Sequence, residues 1–113
     1  SDGVPVLLFG NVLHDPATFE LFEESGARII DDDLCTGSRL LHEVGSLDDI
    51  PIMEALARSL LERPPCARTI TNVRPGKLGE IVVDRAKAVG ARAVIAQVVK
   101  FCDPYLGRMP AVR

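Results

Sequence analysis

Three short apolar runs punctuate the chain, and helical patterns separate them. The first, Val4 to Val12 (VPVLLFGNV), is nearly unbroken and ends in turn residues. That pattern predicts a strand buried on both faces of a parallel sheet. Ala27 to Ile30 predicts a short second strand, and Ala93 to Val99 (AVIAQVV) a third buried one. Asp15 before Pro16 signals a helix start. Phe19, Leu21 and Phe22 supply that helix with an apolar face up to Ser25, and Gly26 ends it. Pro51 opens a second helix, in which Ile52, Leu56 and Leu60 follow the helical period together with Ala55 and Ser59. Pro64 and Pro65 stop it. Gly76 to Val89 predicts a third helix, capped by Gly90. Thr36 to Asp49 reads as a loop with one helical turn, Cys66 to Pro75 as irregular chain, and Lys100 to Gly107 as a loop. Met109 to Arg113 would begin a further helix.

Strands alternating with helices imply a parallel sheet with right-handed crossovers. The expected fold is a three-layer α/β/α sandwich of the Rossmann or flavodoxin-like kind, one α/β domain over residues 1–113. Its small sheet, and an ending where another helix and strand are expected, suggest part of a longer subunit. In such sheets ligands bind beyond the carboxyl ends of the strands. Three polar segments fall there: Gly10-Asn11, Asp32 to Arg39, and Lys100 to Tyr105. The latter two carry Cys35 and Cys102.

Composition narrows the function classes. The 113 residues are 47% hydrophobic and 26% charged with a net charge of −3, as in an ordinary soluble domain. No basic stripe supports nucleic-acid binding. No apolar run is long enough to span a bilayer, and no secretory leader pattern is present, so no membrane association is expected. The 3 cysteines are an odd count with no C-x-x-C pair. They argue against a disulfide framework and for a reducing compartment, hence the cytoplasm.

The cysteines are also the main candidate chemistry. Cys102, in Lys-Phe-Cys-Asp-Pro-Tyr, sits where a strand meets a turn or helix start, at the ligand edge. Its plain alternative is a small buried apolar residue. Cys35, in Asp-Asp-Asp-Leu-Cys-Thr-Gly-Ser-Arg, follows the second strand; neighbouring carboxylates would raise its pKa and Arg39 would lower it. Cys66, after Pro64-Pro65, has no partner at metal-ligand spacing and reads as structural. Asp31, Asp32 and Asp33 read as a solvated strand end, one of them capping the next turn, with an acid/base or cation site as the alternative. His14 and His42 are isolated and read as surface residues. Arg39, Arg68, Arg74 and Lys77 are candidate phosphate contacts, but Gly76-Lys77-Leu78-Gly79 lacks the spacing of a phosphate-binding P-loop.

The segments Asp32-Asp33-Leu34-Cys35-Thr36-Gly37-Ser38-Arg39 and Lys100-Phe101-Cys102-Asp103-Pro104-Tyr105 resemble the dehydratase component of the 2-hydroxyacyl-CoA dehydratases and their benzoyl-CoA reductase relatives. Gly10-Asn11 after a strand and Arg63-Pro64-Pro65-Cys66 after a helix are similar to that family too. The resemblance implies a [4Fe–4S] cluster held by cysteine thiolates, with Cys102 as a ligand here, Cys35 as either a second ligand or a residue lining the site, and the remaining ligands from an N-terminal region. From their position at the ligand edge, Asp33, Ser38 and Arg39 are expected to bind substrate. The resemblance also implies an acyl-CoA substrate, a second homologous subunit, and an ATP-dependent iron–sulfur activator delivering one electron at a time. In the dehydratases a substrate ketyl radical then expels the 2-hydroxyl group and water is lost, a lyase reaction. In the reductases the electron enters an aromatic ring. The stretch alone is expected to be inactive. A flavodoxin-like binding domain with structural cysteines is the reading from another class.

Overall fold

The computed structural model describes residues 2–41, 43–46, 48–70, 74 and 76–113. Along the chain lie β1 (Val4–Gly10), α1 (Ala17–Glu24), β2 (Ala27–Asp33), a 3₁₀ turn (Ser38–Leu40), α2 (Ile52–Glu62), α3 (Lys77–Ala88), β3 (Ala93–Gln97) and α4 (Asp103–Val112). The strands form one parallel sheet in the order β2-β1-β3. The α/β architecture read from the sequence is the one observed. From β1 the chain steps outward to β2, then crosses back over β1 to β3. The right-handed rule for such crossovers therefore places α1 and α3 on opposite faces of the sheet.

β1 is central, and its alternation explains the core. Leu7 and Phe9 are fully buried on one face, in a cluster with Ala67, Ile70, Leu78, Val82, Ala86 and Tyr105. Val6 and Leu8 alternate onto the other face and are buried as well. Local signals set the helix ends. Asp15 Oδ1 accepts the Ala17 N–H at 2.9 Å, the first-turn cap expected of this residue. Gly26 and Gly90 close α1 and α3 with φ of 93° and 74°, the left-handed region that suits glycine.

Two boundaries, one strand's phase and one strand's burial differ from the sequence expectation. Residues Asp31 to Asp33 continue β2, because they pair with Leu7 to Phe9 across the sheet. Val6 pairs with Ile29 but Leu7 with Asp31, so Ile30 is an extra residue in β2. This bulge reverses the side-chain phase of the strand. Asp31 and Asp33 thereby share the face of Leu7 and Phe9, towards α3; without the extra residue they would point the other way. The third strand was expected to be buried, yet Ala93, Val94 and Ala96 are exposed, because β3 is an edge strand with a neighbour on one side only. Finally, Lys100 to Gly107 is not a loop throughout. α4 begins at Asp103, with Pro104 in its first turn, where proline's missing N–H is not needed.

Candidate functional site at the carboxyl edge of the sheet

The three strands end side by side at Gly10, Asp33 and Gln97, and the segments after them are tied together by backbone. Gly10 has φ 142°, and a Cβ there would lie 1.8 Å from the Gln97 carbonyl oxygen, so glycine alone allows β1 and β3 to approach this closely. The Asn11 N–H donates to Gln97 O at 3.1 Å, and Asn11 O accepts the Cys35 N–H at 2.9 Å. The buried Asn11 side chain accepts the Val99 N–H at 3.1 Å. Gly10-Asn11, the Cys35 loop and the segment leading to Cys102 thus converge, as the topology implied.

Arg39 joins them from within. Its guanidinium, buried with Asp33, donates from Nη2 to Asp33 Oδ2 at 2.8 Å. Nε lies 2.7 Å from Asp33 Oδ1, a close charge contact off the line of a hydrogen bond. Nη1 donates to Gly10 O at 3.3 Å and to Cys35 Sγ at 3.6 Å. It also donates to the Tyr105 hydroxyl, and the Tyr105 ring lies 5.7 Å from the guanidinium carbon. One cation therefore bridges the end of β1, the end of β2, the Cys35 sulfur and α4. Burial disfavours its charge, but the Asp33 carboxylate outweighs that and raises its pKa. Burial pushes the Tyr105 hydroxyl upward, against the pull of Arg39.

The aspartates are not a solvated strand end. Asp33 is buried against Arg39. Asp31 receives a fork from Arg85 of α3, Nε to Oδ2 at 2.7 Å and Nη2 to Oδ1 at 3.0 Å. Those bonds hold the Asp31 carboxyl below its ordinary range; burial opposes them, and the Asp32 N–H and the Arg85 charge assist. Asp32 Oδ1 accepts the N–H groups of Leu34 at 3.0 Å and Ser38 at 2.9 Å, the turn cap anticipated for one of the three. The Ser38 hydroxyl donates to Asp32 O and accepts from Arg85 Nη2 at 3.0 Å. Arg39 borders a cavity.

That cavity, about 90 Å³, is lined by Cys35, Arg39, Arg63, Pro64, Cys66 and Thr69. Cys66, read from the sequence as structural, stands beside Cys35. Its Sγ accepts the Arg68 N–H at 3.4 Å and the Thr69 hydroxyl at 3.5 Å. Burial pushes the Cys66 thiol up, but these donors and the nearby Arg39 charge bring it below its ordinary value. The one sequence signal was Pro64-Pro65, which follows the end of α2; the spacing of 31 positions from Cys35 to Cys66 carried no motif. Cys102 caps α4 and packs against the same core cluster as the other two thiols, without lining the cavity. The preceding residue, Phe101, has φ 71°, a strained conformation for a side chain of this kind, and its ring is exposed.

The other sequence candidates do not join this site. His14 is exposed, and His42 lies outside the described residues. Arg74 and Lys77 pair with Glu80 at 2.6 and 3.7 Å at the start of α3, and Arg68 is exposed. Among the described residues no three His, Cys, Asp or Glu side chains gather as a metal-binding group. Cysteine thiolate is the ligand type that iron–sulfur clusters take, and the described residues bring no third such side chain to Cys35 and Cys66. Among the described residues no helix is long and apolar enough to cross a membrane.

Fold and site together define an α/β domain whose strand-end loops present thiols and a buried cation at the sheet's ligand edge. The chain belongs to the 2-hydroxyglutaryl-CoA dehydratase D-component family, whose model matches residues 1–113. It is 28% identical over 104 residues to the lactoyl-CoA dehydratase subunit beta of Anaerotignum propionicum. The alignment takes in 91% of the chain but 27% of that relative, so the chain spans about a quarter of the relative's length.

Proposed function

We propose that this chain is the C-terminal α/β portion of a cytoplasmic 2-hydroxyacyl-CoA dehydratase subunit, a lyase that eliminates water from a 2-hydroxyacyl-CoA by a radical route. The observation that carries this reading is the family match over the full 113 residues, joined to a carboxyl edge where the Cys35 and Cys102 loops meet. Cys102 and Cys35 would hold a [4Fe–4S] cluster, with the remaining ligands from elsewhere in the subunit. When bound, the cluster would supply one-electron chemistry at this edge.

The chain's own residues do the positioning. Gly10 O and Arg39 Nη1 engage the Cys35 sulfur, at 3.8 and 3.6 Å, so its direction is set before any ligand arrives. Hydrogen bonds to a ligating sulfur stabilise its negative charge and raise the potential of the group it holds. Arg39 is the substrate-side cation of this edge, while Asp33 and Ser38 belong to the substrate-binding segment chiefly by holding that cation and its turn in place. Phe101 precedes α4 and leads into Cys102 at that helix's N-cap. The partners in this reading are a second homologous subunit, an ATP-dependent iron–sulfur activator and the acyl-CoA.

Anaerobic iron and sulfide analysis with an absorption spectrum tests it, on the full-length protein and its Cys102→Ala and Cys35→Ala variants. The expected result is an iron-containing parent, with iron lost from Cys102→Ala and reduced or lost in Cys35→Ala. An iron-free parent, purified anaerobically, would sink the proposal.

A further inference from the structure

The cavity beside Cys35 is lined by two guanidinium side chains, Arg39 and Arg63, and by no carboxylate. The larger cavity next to it, about 430 Å³, shares Arg63 and Pro64, but there Glu43 and Glu62 accompany Arg58. A lining with cations and no anion is thus particular to the smaller space. Arg39 is its buried member. Asp33 lies against Arg39, yet the Arg39 charge still acts in the cavity. Burial pushes the Cys66 thiol up, and that charge joins the Thr69 and Arg68 donors in bringing it down. Arg39 Nη2 uses one N–H on Asp33 Oδ2, and its second has no bond among the described residues. Arg63 is exposed, and among the described residues its side chain has no hydrogen-bond or ion-pair partner. A cleft lined by one sign of charge concentrates the opposite one.

We infer that Arg63 and Arg39 make this cavity a subsite for a carboxylate group, and that the carboxylate is the one at the far end of the substrate's acyl chain. A guanidinium matches a carboxylate through two parallel N–H···O bonds. At about 90 Å³ the space holds a few waters. That is enough for a carboxylate and the carbon that bears it, and too little for a nucleotide. The assignment to the acyl chain rests on the dehydratase reading. Cys35, given there to the cluster, lines the same cavity, so an anion held here lies beside the reacting end of a CoA thioester. The phosphates of the coenzyme lie beyond the pantetheine arm, at the other end of that molecule. A 2-hydroxyacyl-CoA ending in a carboxylate is then favoured over one ending in a methyl group.

The test is isothermal titration calorimetry on the full-length protein, with analogues that lack the 2-hydroxyl group and so cannot lose water. They are the CoA half-thioesters of succinic, glutaric and adipic acid, their methyl-ended counterparts butyryl-, valeryl- and hexanoyl-CoA, CoA itself, and the three free diacids. At least one half-thioester should bind about tenfold or more tighter than the methyl-ended thioester of the same chain length. Arg63→Gln should remove that preference and leave methyl-ended binding as it was. Arg63→Lys should restore part of it, since the charge returns without the fork. Arg63 is exposed, so these variants are expected to fold. Thioesters that bind without such a preference overturn the inference and keep the acyl-CoA reading. CoA weakened by Arg63→Gln as much as the half-thioesters would assign the anion to a coenzyme phosphate, and also overturns it. Free diacid bound through Arg63, with no thioester bound, keeps the carboxylate subsite and removes the acyl-CoA reading. A parent protein that binds neither removes both.

Discussion

The carboxyl edge of the sheet and helix α2 use their side chains in opposite ways. At the edge, charged residues are buried: Asp33 and Arg39 are 5% and 7% exposed and locked to one another. On α2 the large apolar residues are outside: Met53 is 73% and Leu61 85% exposed, and the residues that α2 buries are Ala55 and Ser59. The hydrophobic rule alone would assign these burials the other way round. Charge is tolerated at the edge because every member has a partner: Arg39 for Asp33, Arg85 for Asp31, and Leu34 and Ser38 N–H groups for Asp32. α2 is amphipathic by period, but its apolar stripe is exposed. A helical period states that a face exists and not which way it is turned.

The sharpest way to break this contrast is to empty the packed side. Phe9→Ala removes a fully buried ring that lies 5.5 Å, centroid to centroid, from Tyr105. It should cost about 3–5 kcal/mol, read from denaturant midpoints of the full-length protein. A cost near zero would mean that the Leu7–Phe9 face is not the core.

A smaller effect, specific in pH, comes from Arg85→Gln. The folded Asp31 carboxyl titrates below its ordinary value of 3.8 because of its bond to Arg85. A depressed folded value contributes stability above the unfolded value, and that stability is lost as the pH falls through the folded one. Arg85→Gln should therefore lower stability near neutrality and flatten the acid limb below about pH 4, in urea titrations across pH 2–7. An unchanged acid limb would show that the ion pair is not formed in solution.

The smallest effect is expected on the other side of the comparison. Leu61→Gln, at an exposed position of α2, should change stability by no more than about 0.5 kcal/mol. A loss as large as that of Phe9→Ala would place Leu61 against another part of the full-length protein.

How far the site could be read in advance differs from one thiol to the next. The place of Cys102 at the carboxyl edge was legible because a strand, a turn signal and Asp103-Pro104 surround it within a few residues. The place of Cys35 was legible for the same reason, after β2. That of Cys66 was not, since it comes from sharing a cavity with a residue 31 positions earlier, and no local pattern records that. Asp31 to Asp33 misled, because a run of carboxylates looks solvated until Arg39 and Arg85 are seen beside it.

By itself the amino-acid sequence determined the alternation of strands and helices, the parallel sheet, the helix ends at Asp15, Gly26 and Gly90, and the meeting of three polar segments at one edge. These follow from backbone preference and periodicity, which act over a few neighbouring residues. Only the tertiary structure decided the bulge at Ile30 that turns two aspartates towards α3, the start of α4 at Asp103, the exposure of β3 and α2, and the company that Cys66 keeps. Each depends on which distant residue arrives alongside, a matter of pairing register and packing that no single segment contains.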